Sequence, residues 1–315
     1  MGERVPLSRA AIEHVRHALA PGGRVLRARP MHGGISSNID LLHLETRAGN
    51  RLAVVVRRYG PYWQRTDPGA CAREFHLLRF LFDSGFPAPR PLLLDADGSA
   101  FDGAPTVVMA RVPGRPVGQP RDLDDFLGQL ALSLARLHAL PVESLDFLPQ
   151  QHVAISRALA AEAPRTEHDA LLTRVADAAR TGWPAARANA RRRIVHGDFW
   201  PGNVLWWRTR LSGVIDWESP SLGEPTRDVA TCRGDLSVLF GMNAADRFRA
   251  YYEAASSEPV RDMAFWDVLV SVWAVAEMDQ WVIGYHGIGR RDVQPDEARR
   301  RIRTFAQAAL DATSG

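Results

Sequence analysis

The chain has 315 residues, 46% of them hydrophobic and 24% charged, with a formal net charge of +3, which is enough for one large domain or two lobes around a substantial core. All 39 Lys+Arg residues are arginine. A basic run of three, Arg191-Arg192-Arg193, reads as a solvated edge rather than a nucleic-acid footprint, and no apolar run reaches the roughly 18 residues of a membrane span.

In chain order, the N-terminus has no apolar signal core, and Pro6 stands where a myristoylation pattern needs Ser or Thr. Strands are expected over 24–29, 39–46 and 52–58, the last two joined as a hairpin by Ala48-Gly49-Asn50. A small-residue loop, His32-Gly33-Gly34-Ile35-Ser36-Ser37-Asn38, precedes the second strand. A helix is expected from about Pro68 to Gly85, with Asp67 as its cap, Pro87 beyond its stop, and Phe75, Leu78 and Phe82 at helical spacing. Cys71 in this region and Cys232 far along the chain read as buried free thiols, which fits a reducing cytoplasm.

Two further strands are expected over 90–95 and 105–111. Val112-Pro113-Gly114-Arg115-Pro116 is then a breaker-rich connector. Beyond it the pattern turns helical over 122–140, with Leu123, Phe126, Leu127, Leu130, Leu134 and Leu137 on one face. Helical segments follow near 153–163 and 168–187. Short strands and loops fill 194–216, and closing helices are expected over 226–240, 244–255, 262–283 and 295–312. The plan is α+β: residues 1–111 as a small antiparallel-sheet lobe with one inserted helix, 112–120 as a hinge, and 121–315 as a larger, mainly helical lobe.

The densest signal is His196-Gly197-Asp198-Phe199-Trp200-Pro201-Gly202-Asn203, followed by Ile215-Asp216-Trp217. It sets an Asp, an Asn five positions later, and a second Asp thirteen beyond that, each flanked by apolar segments. Phosphoryl transfer needs a carboxylate to orient an attacking hydroxyl and take its proton. It also needs an amide oxygen and a second carboxylate to hold magnesium on the nucleotide phosphates.

On these motifs, and on Gly223-Glu224-Pro225-Thr226-Arg227-Asp228-Val229-Ala230, the chain resembles the aminoglycoside phosphotransferase family over roughly residues 25–285. These are small-molecule kinases of the protein-kinase-like fold. The resemblance implies a bilobal fold with ATP in the cleft between its lobes, GTP being the other donor to consider, and Mg2+ as cofactor. It makes Asp198 the catalytic base and Asn203 and Asp216 the metal ligands. Kinase logic also wants a cation on the third strand, paired with a helix Glu, to grip the phosphates. The resemblance places these at Val54-Val55-Val56-Arg57 and Arg73-Glu74-Phe75, so Arg57 stands where a lysine is usual. Arg58 competes for the role, but strand alternation turns it to the opposite face. Gly33, Gly34, Ser36 and Asn38 occupy the place of a phosphate-covering loop, without a G-x-G-x-x-G or Walker spacing. Met109, with the residues up to Val112, lines the adenine pocket through backbone groups.

His196 is read as ordering the loop, His138 as structural, and Asp228 as support for the loop or as a helix cap. The acceptor is a small-molecule hydroxyl, with no nucleic-acid or membrane partner. A polycationic aminoglycoside would want an acidic rim, for which Glu218, Glu224, Asp235, Glu277 and Asp279 are the candidates. Trp266, Trp273, Trp281 and Tyr285 recur at helical spacing, as core or as a surface for a partly apolar acceptor. The family also holds kinases for homoserine, choline, thiosugars and macrolides. Two readings from other classes stay open: a nucleotide-binding pseudokinase scaffold, suggested by the missing lysine, and a metal hydrolase using His196 and Asp198.

Overall fold

The computed structural model describes residues 5–31, 37–161 and 169–313. The chain separates into two compact units, Met1–Pro113 with Gly213–Glu218, and Gly114–Ser212 with Ser219–Gly315.

The first unit is built on a five-stranded antiparallel sheet of order β1-β2-β3-β5-β4. Its strands are β1 (Arg24–Pro30), β2 (Ser37–Glu45), β3 (Arg51–Tyr59), β4 (Pro91–Asp95) and β5 (Thr106–Ala110). The hairpin between β2 and β3 turns at Gly49, whose φ of +81° suits glycine. Its register runs without a slip from Ser37 opposite Tyr59 to Glu45 opposite Arg51. Strand alternation then sorts the side chains of β3. Val54 and Val56 join Leu42, Leu44 and Val108 in a cluster with Ala11 and Val15. These last two lie on a helix, α1 (Arg9–Leu19), whose N-cap Ser8 accepts a hydrogen bond from Ala11 N. Arg57 and Tyr59 fall on the other face.

Two helices follow β3 where one was expected: α2 (Pro61–Thr66) and α3 (Ala70–Asp83). Pro61 at its first turn starts the short α2. Asp67 therefore closes α2, with its N–H donating to Trp63 O, and does not cap α3; its carboxylate takes Arg73 instead. The inward stripe of α3 is Cys71, Glu74, Leu77, Leu78 and Leu81, and Phe82, expected inside, is 45% exposed. A buried glutamate within the stripe disguised its period. Helix α1, with only Ala11 and Val15 buried, was not expected either.

The second unit is mainly helical: α4 (Leu123–His138), α5 (Gln151–Ala160), α6 (Ala170–Ala188), α7 (Thr226–Phe240), α8 (Met242–Ala255), α9 (Met263–Gly287) and α10 (Pro295–Thr313). Asp122 caps α4 by accepting from Asp125 N. Helix α9 packs against α6, α7 and α10, which explains why its apolar residues run nearly all round it. Tyr285, Met278 and Val282 of α9 share a buried cluster with Val238 and Leu239 of α7 and Ile302 and Phe305 of α10. Two small strand pairs frame the polar motif. β6 (Arg193–Val195) runs antiparallel to β9 (Ser221–Gly223), and β7 (Val204–Trp207) pairs with β8 (Arg210–Val214). No helix among the described residues is long and apolar enough to cross a membrane.

Candidate active site

Arg57 lies at the centre of the polar residues of the first unit. Its Nη1 is 3.4 Å from Glu74 Oε1 and 3.0 Å from Glu218 Oε1, and its Nη2 is 2.8 Å from Asp216 Oδ1. Burial works against the guanidinium charge, but Glu74, Asp216 and Glu218 outweigh it and hold Arg57 protonated. Tyr59, two residues along the same face of β3, donates to Glu74 Oε2 at 2.6 Å. Glu74 is 1% exposed, and burial raises its carboxyl above the usual range despite Arg57 and the Tyr59 hydrogen bond. Ser37 donates to Glu218 Oε1 at 2.7 Å. Among the described residues, buried Arg57 Nε and Nη1 find no hydrogen-bond partner, Nη1 being held by its ion pairs. Arg58, on the opposite face, is bonded to Asp40 and to the Val5 carbonyl.

Asp216 is delivered by a tight turn. Val214 N donates to Pro87 O at 2.7 Å, and the buried Trp217 returns its Nε1–H to Val214 O at 3.0 Å. The Trp217 ring meets Phe86 edge-on. Asp216 itself has a φ of +71°, a left-handed conformation that Asp tolerates better than most residues. Its side chain keeps 35% of its surface exposed.

In the second unit, β6 leads into the His196–Asn203 loop. Asp198 is exposed. Asn203 Nδ2 donates to the Asp198 carbonyl at 2.9 Å and to Asp198 Oδ2 at 2.8 Å, which directs the amide Oδ1 elsewhere as an acceptor. The loop backbone is pinned by Asp228, buried on α7, which accepts from His196 N at 2.7 Å and Gly197 N at 2.9 Å. His138 Nε2 lies 3.3 Å from the same carboxylate, and its Nδ1 2.7 Å from Tyr252 Oη. A carboxylate only accepts, so Nε2 carries a hydrogen toward Asp228. Burial alone would raise Asp228, but the His138 hydrogen bond and charge, with His196 and Gly197, hold it below the usual carboxylate range. Arg227 ties down the Gly197 carbonyl at 2.8 Å. His196 is fully buried, and its Nδ1 accepts from Asp198 N at 3.2 Å, so the ring orders the loop as expected of it.

The remaining candidates disperse. Gly33, Gly34 and Ser36 lie outside the described residues, while Asn38 sits on β2 opposite Arg58. Met109 is buried in β5 between Val55 and Pro91. The N–H groups of Ala110 and Arg111 are taken by Arg90 and Ala53 carbonyls, so only part of that backbone is left to meet a base. The five acids considered for an acceptor rim do not form one. Glu218 belongs with Arg57, Glu224 is buried against Arg191 and Thr226, and Asp235 is buried under the Tyr285 hydroxyl at 2.8 Å. Asp279 pairs with Arg299, and Glu277 is simply exposed. Trp266 and Tyr285 are core, Trp273 and Trp281 half-buried. Cys71 and Cys232 are buried and free, and burial pushes the Cys71 thiol up to about 12. Among the described residues, no group of three or more His, Cys, Asp or Glu is placed to hold a metal ion.

Tyr59 and Glu218 are the partners of Arg57 that sequence reasoning did not supply. The two-residue offset from Arg57 to Tyr59 on a strand was the available signal for one. The Asp-x-Glu spacing after the β8 strand was the signal for the other.

The phosphotransferase enzyme family model matches residues 28–269, and the chain belongs to this family. Viomycin phosphotransferase of Streptomyces vinaceus is 30% identical over 172 residues, covering 47% of this chain and 56% of that protein. Homoserine kinase of Azorhizobium caulinodans is 29% identical over 182 residues, covering 54% of each. The match thus spans about half the length of these two relatives. A crystal structure of a thermostable mutant of aminoglycoside phosphotransferase APH(4)-Ia, in ternary complex with AMP-PNP and hygromycin B, has a TM-score of 0.63 at 14% identity. It covers 98% of this chain and 100% of that one. The fold is that of the protein-kinase-like phosphotransferases.

Proposed function

We propose that the protein transfers the γ-phosphoryl group of ATP to a hydroxyl of a small molecule, with Asp198 as the base. The observation that carries this reading is the loop itself. An exposed carboxylate sits on a backbone fixed by two N–H bonds to Asp228, and an Asn at its side is oriented by hydrogen bonds to Asp198. A hydroxyl positioned in line with the γ-phosphorus gives up its proton late, so such a base needs placement more than a raised pKa.

Arg57 suits the triphosphate. A guanidinium fork grips phosphate oxygens more directionally than an ammonium. Glu74 and Glu218 keep it oriented. Asn203 Oδ1 and the half-exposed Asp216 carboxylate are each a hard oxygen donor of the kind magnesium takes. A bound magnesium ion would neutralise charge on the phosphate oxygens. AMP-PNP in the APH(4)-Ia complex supports a nucleoside triphosphate as donor. A cytoplasm that supplies ATP and keeps cysteines reduced suits the two free thiols.

The relatives divide over the acceptor, one being named for viomycin and the other for homoserine. An antibiotic-modifying kinase leads, and a metabolic kinase for an amino alcohol or sugar follows. The test is ADP formation from ATP, and from GTP in parallel, across amino sugars, macrolides, thiosugars and amino alcohols. Nucleotide binding with no acceptor-dependent ADP over that panel would favour a non-catalytic scaffold and defeat the reading.

A further inference from the structure

Trp200 stands between Asp198 and Asn203, and two glycines build its seat. A Cβ at Gly202 would lie 2.1 Å from Trp200 Cζ2, and one at Gly284 would lie 3.2 Å from Cη2. Gly284 is inside α9, where glycine weakens a helix, so room for the indole is kept at a cost in helix stability. Tyr285 meets the ring edge-on, with centroids 5.9 Å apart and planes at 68°. Tyr285 is itself held by Asp235. Part of the indole packs on the cluster of α7, α9 and α10, yet the side chain remains half exposed. An aromatic ring held by Gly202, Gly284 and Tyr285 yet partly exposed, two residues from an exposed Asp198, can serve as a stacking surface.

The charge near it points the same way. Asp235 is 5% exposed. Burial, partly offset by the Tyr285 hydrogen bond and reinforced by the Asp198 charge, holds its carboxyl well above the usual range. Buried and bonded to the Tyr285 hydroxyl, it is not presented to a cationic ligand. Glu224 is buried and paired with Arg191.

We propose that Trp200 determines acceptor specificity, the exposed part of its indole stacking on a ring of the acceptor and favouring ring-bearing alcohols of low positive charge over acyclic amino alcohols and polycationic amino sugars. This rests on the O-phosphotransferase reading above. The test is calorimetric titration of the full chain, with AMP-PNP and magnesium present, by a macrolide, a methyl hexopyranoside, hygromycin B and homoserine. One or both of the first two bind most tightly. Their affinity falls roughly tenfold in Trp200→Leu and stays within about threefold in Trp200→Phe, because only the second keeps an aromatic face. A purely structural role predicts equal loss in the two variants, and that result overturns the proposal. So does tighter binding of homoserine or hygromycin B, or no binding of either low-charge ring. Failure of the wild type to bind AMP-PNP strikes the phosphotransferase reading instead.

Discussion

Replacing Arg57 with glutamine removes the guanidinium that touches Glu74, Asp216 and Glu218. The latter two side chains keep 35% and 15% of their surface, so water screens much of their loss. Glu74 cannot be screened in that way, being 1% exposed. Breaking a buried ion pair by deleting one partner costs about 3–5 kcal/mol. Here the pair is loose at 3.4 Å and Tyr59 still donates to Glu74, which places the cost near the lower end, about 3 kcal/mol. Glu74 can also escape by taking a proton. Its folded pKa, already raised above the ordinary glutamate value by burial, rises further without Arg57. Between the unfolded and folded pKa the native state then binds the extra proton, so stability falls as pH rises through that window. Arg57→Gln should therefore be mildly destabilised at pH 5 and more so at pH 8. Adding Glu74→Gln should return most of the loss, since no charge is left stranded. Urea unfolding of the two single variants and the double variant at both pH values measures this. A penalty under about 1 kcal/mol at both pH values, or one that Glu74→Gln does not relieve, would refute Arg57 as the counter-ion of Glu74.

Asp198→Ala should lower acceptor-dependent ADP formation by about 10²–10⁴-fold while AMP-PNP still binds by calorimetry; equal turnover would end its role as base. Asp228→Ala leaves two buried backbone N–H groups and His138 without their acceptor, and should cost about 3–5 kcal/mol in urea unfolding. Because the folded pKa of Asp228 is depressed, its contribution is complete above the unfolded value near 3.8 and is lost as pH falls through the folded pKa. The gap between this variant and the wild type should accordingly narrow in strong acid. Gly197→Ala puts a Cβ 2.5 Å from Ser219 O at a φ of +88°. It should destabilise by at least about 2 kcal/mol and displace the loop, seen as a drop in kcat larger than the change in nucleotide affinity.

The sheet of the first unit was legible because its strands carry their own punctuation: alternation in β2 and β3, and Gly49 between them. Helix α3 was legible as a helix but not in its facing, because its inward stripe contains Glu74. A period read from apolar residues alone settles on Phe75 and Phe82 instead. Helix α1 escaped because small residues, Ala11 and Val15, do its packing. The loop from His196 to Asn203 stood out as a motif, since each polar group has its own place in a short stretch. Its support was not, because Asp228, His138 and Tyr252 come from three helices far apart in sequence and meet only when α4, α7 and α8 pack.

The residue that looked like a defect, an arginine in a chain without lysine, changes its surroundings. A lysine ammonium is a single point charge on a flexible stem. The Arg57 fork instead reaches Glu74 and Glu218 through Nη1 and Asp216 through Nη2. Three carboxylates on one guanidinium leave a net negative cluster. Ser37 satisfies part of Glu218 and Tyr59 part of Glu74, and the surplus charge favours the arrival of a further cation beside Asp216. An all-arginine composition thus does not weaken the case for a phosphate site. It moves the fixed geometry from one strand–helix pair to a network that includes the Asp216–Glu218 turn, and this is why Glu218, read from the sequence as an acceptor contact, stands beside Arg57 instead.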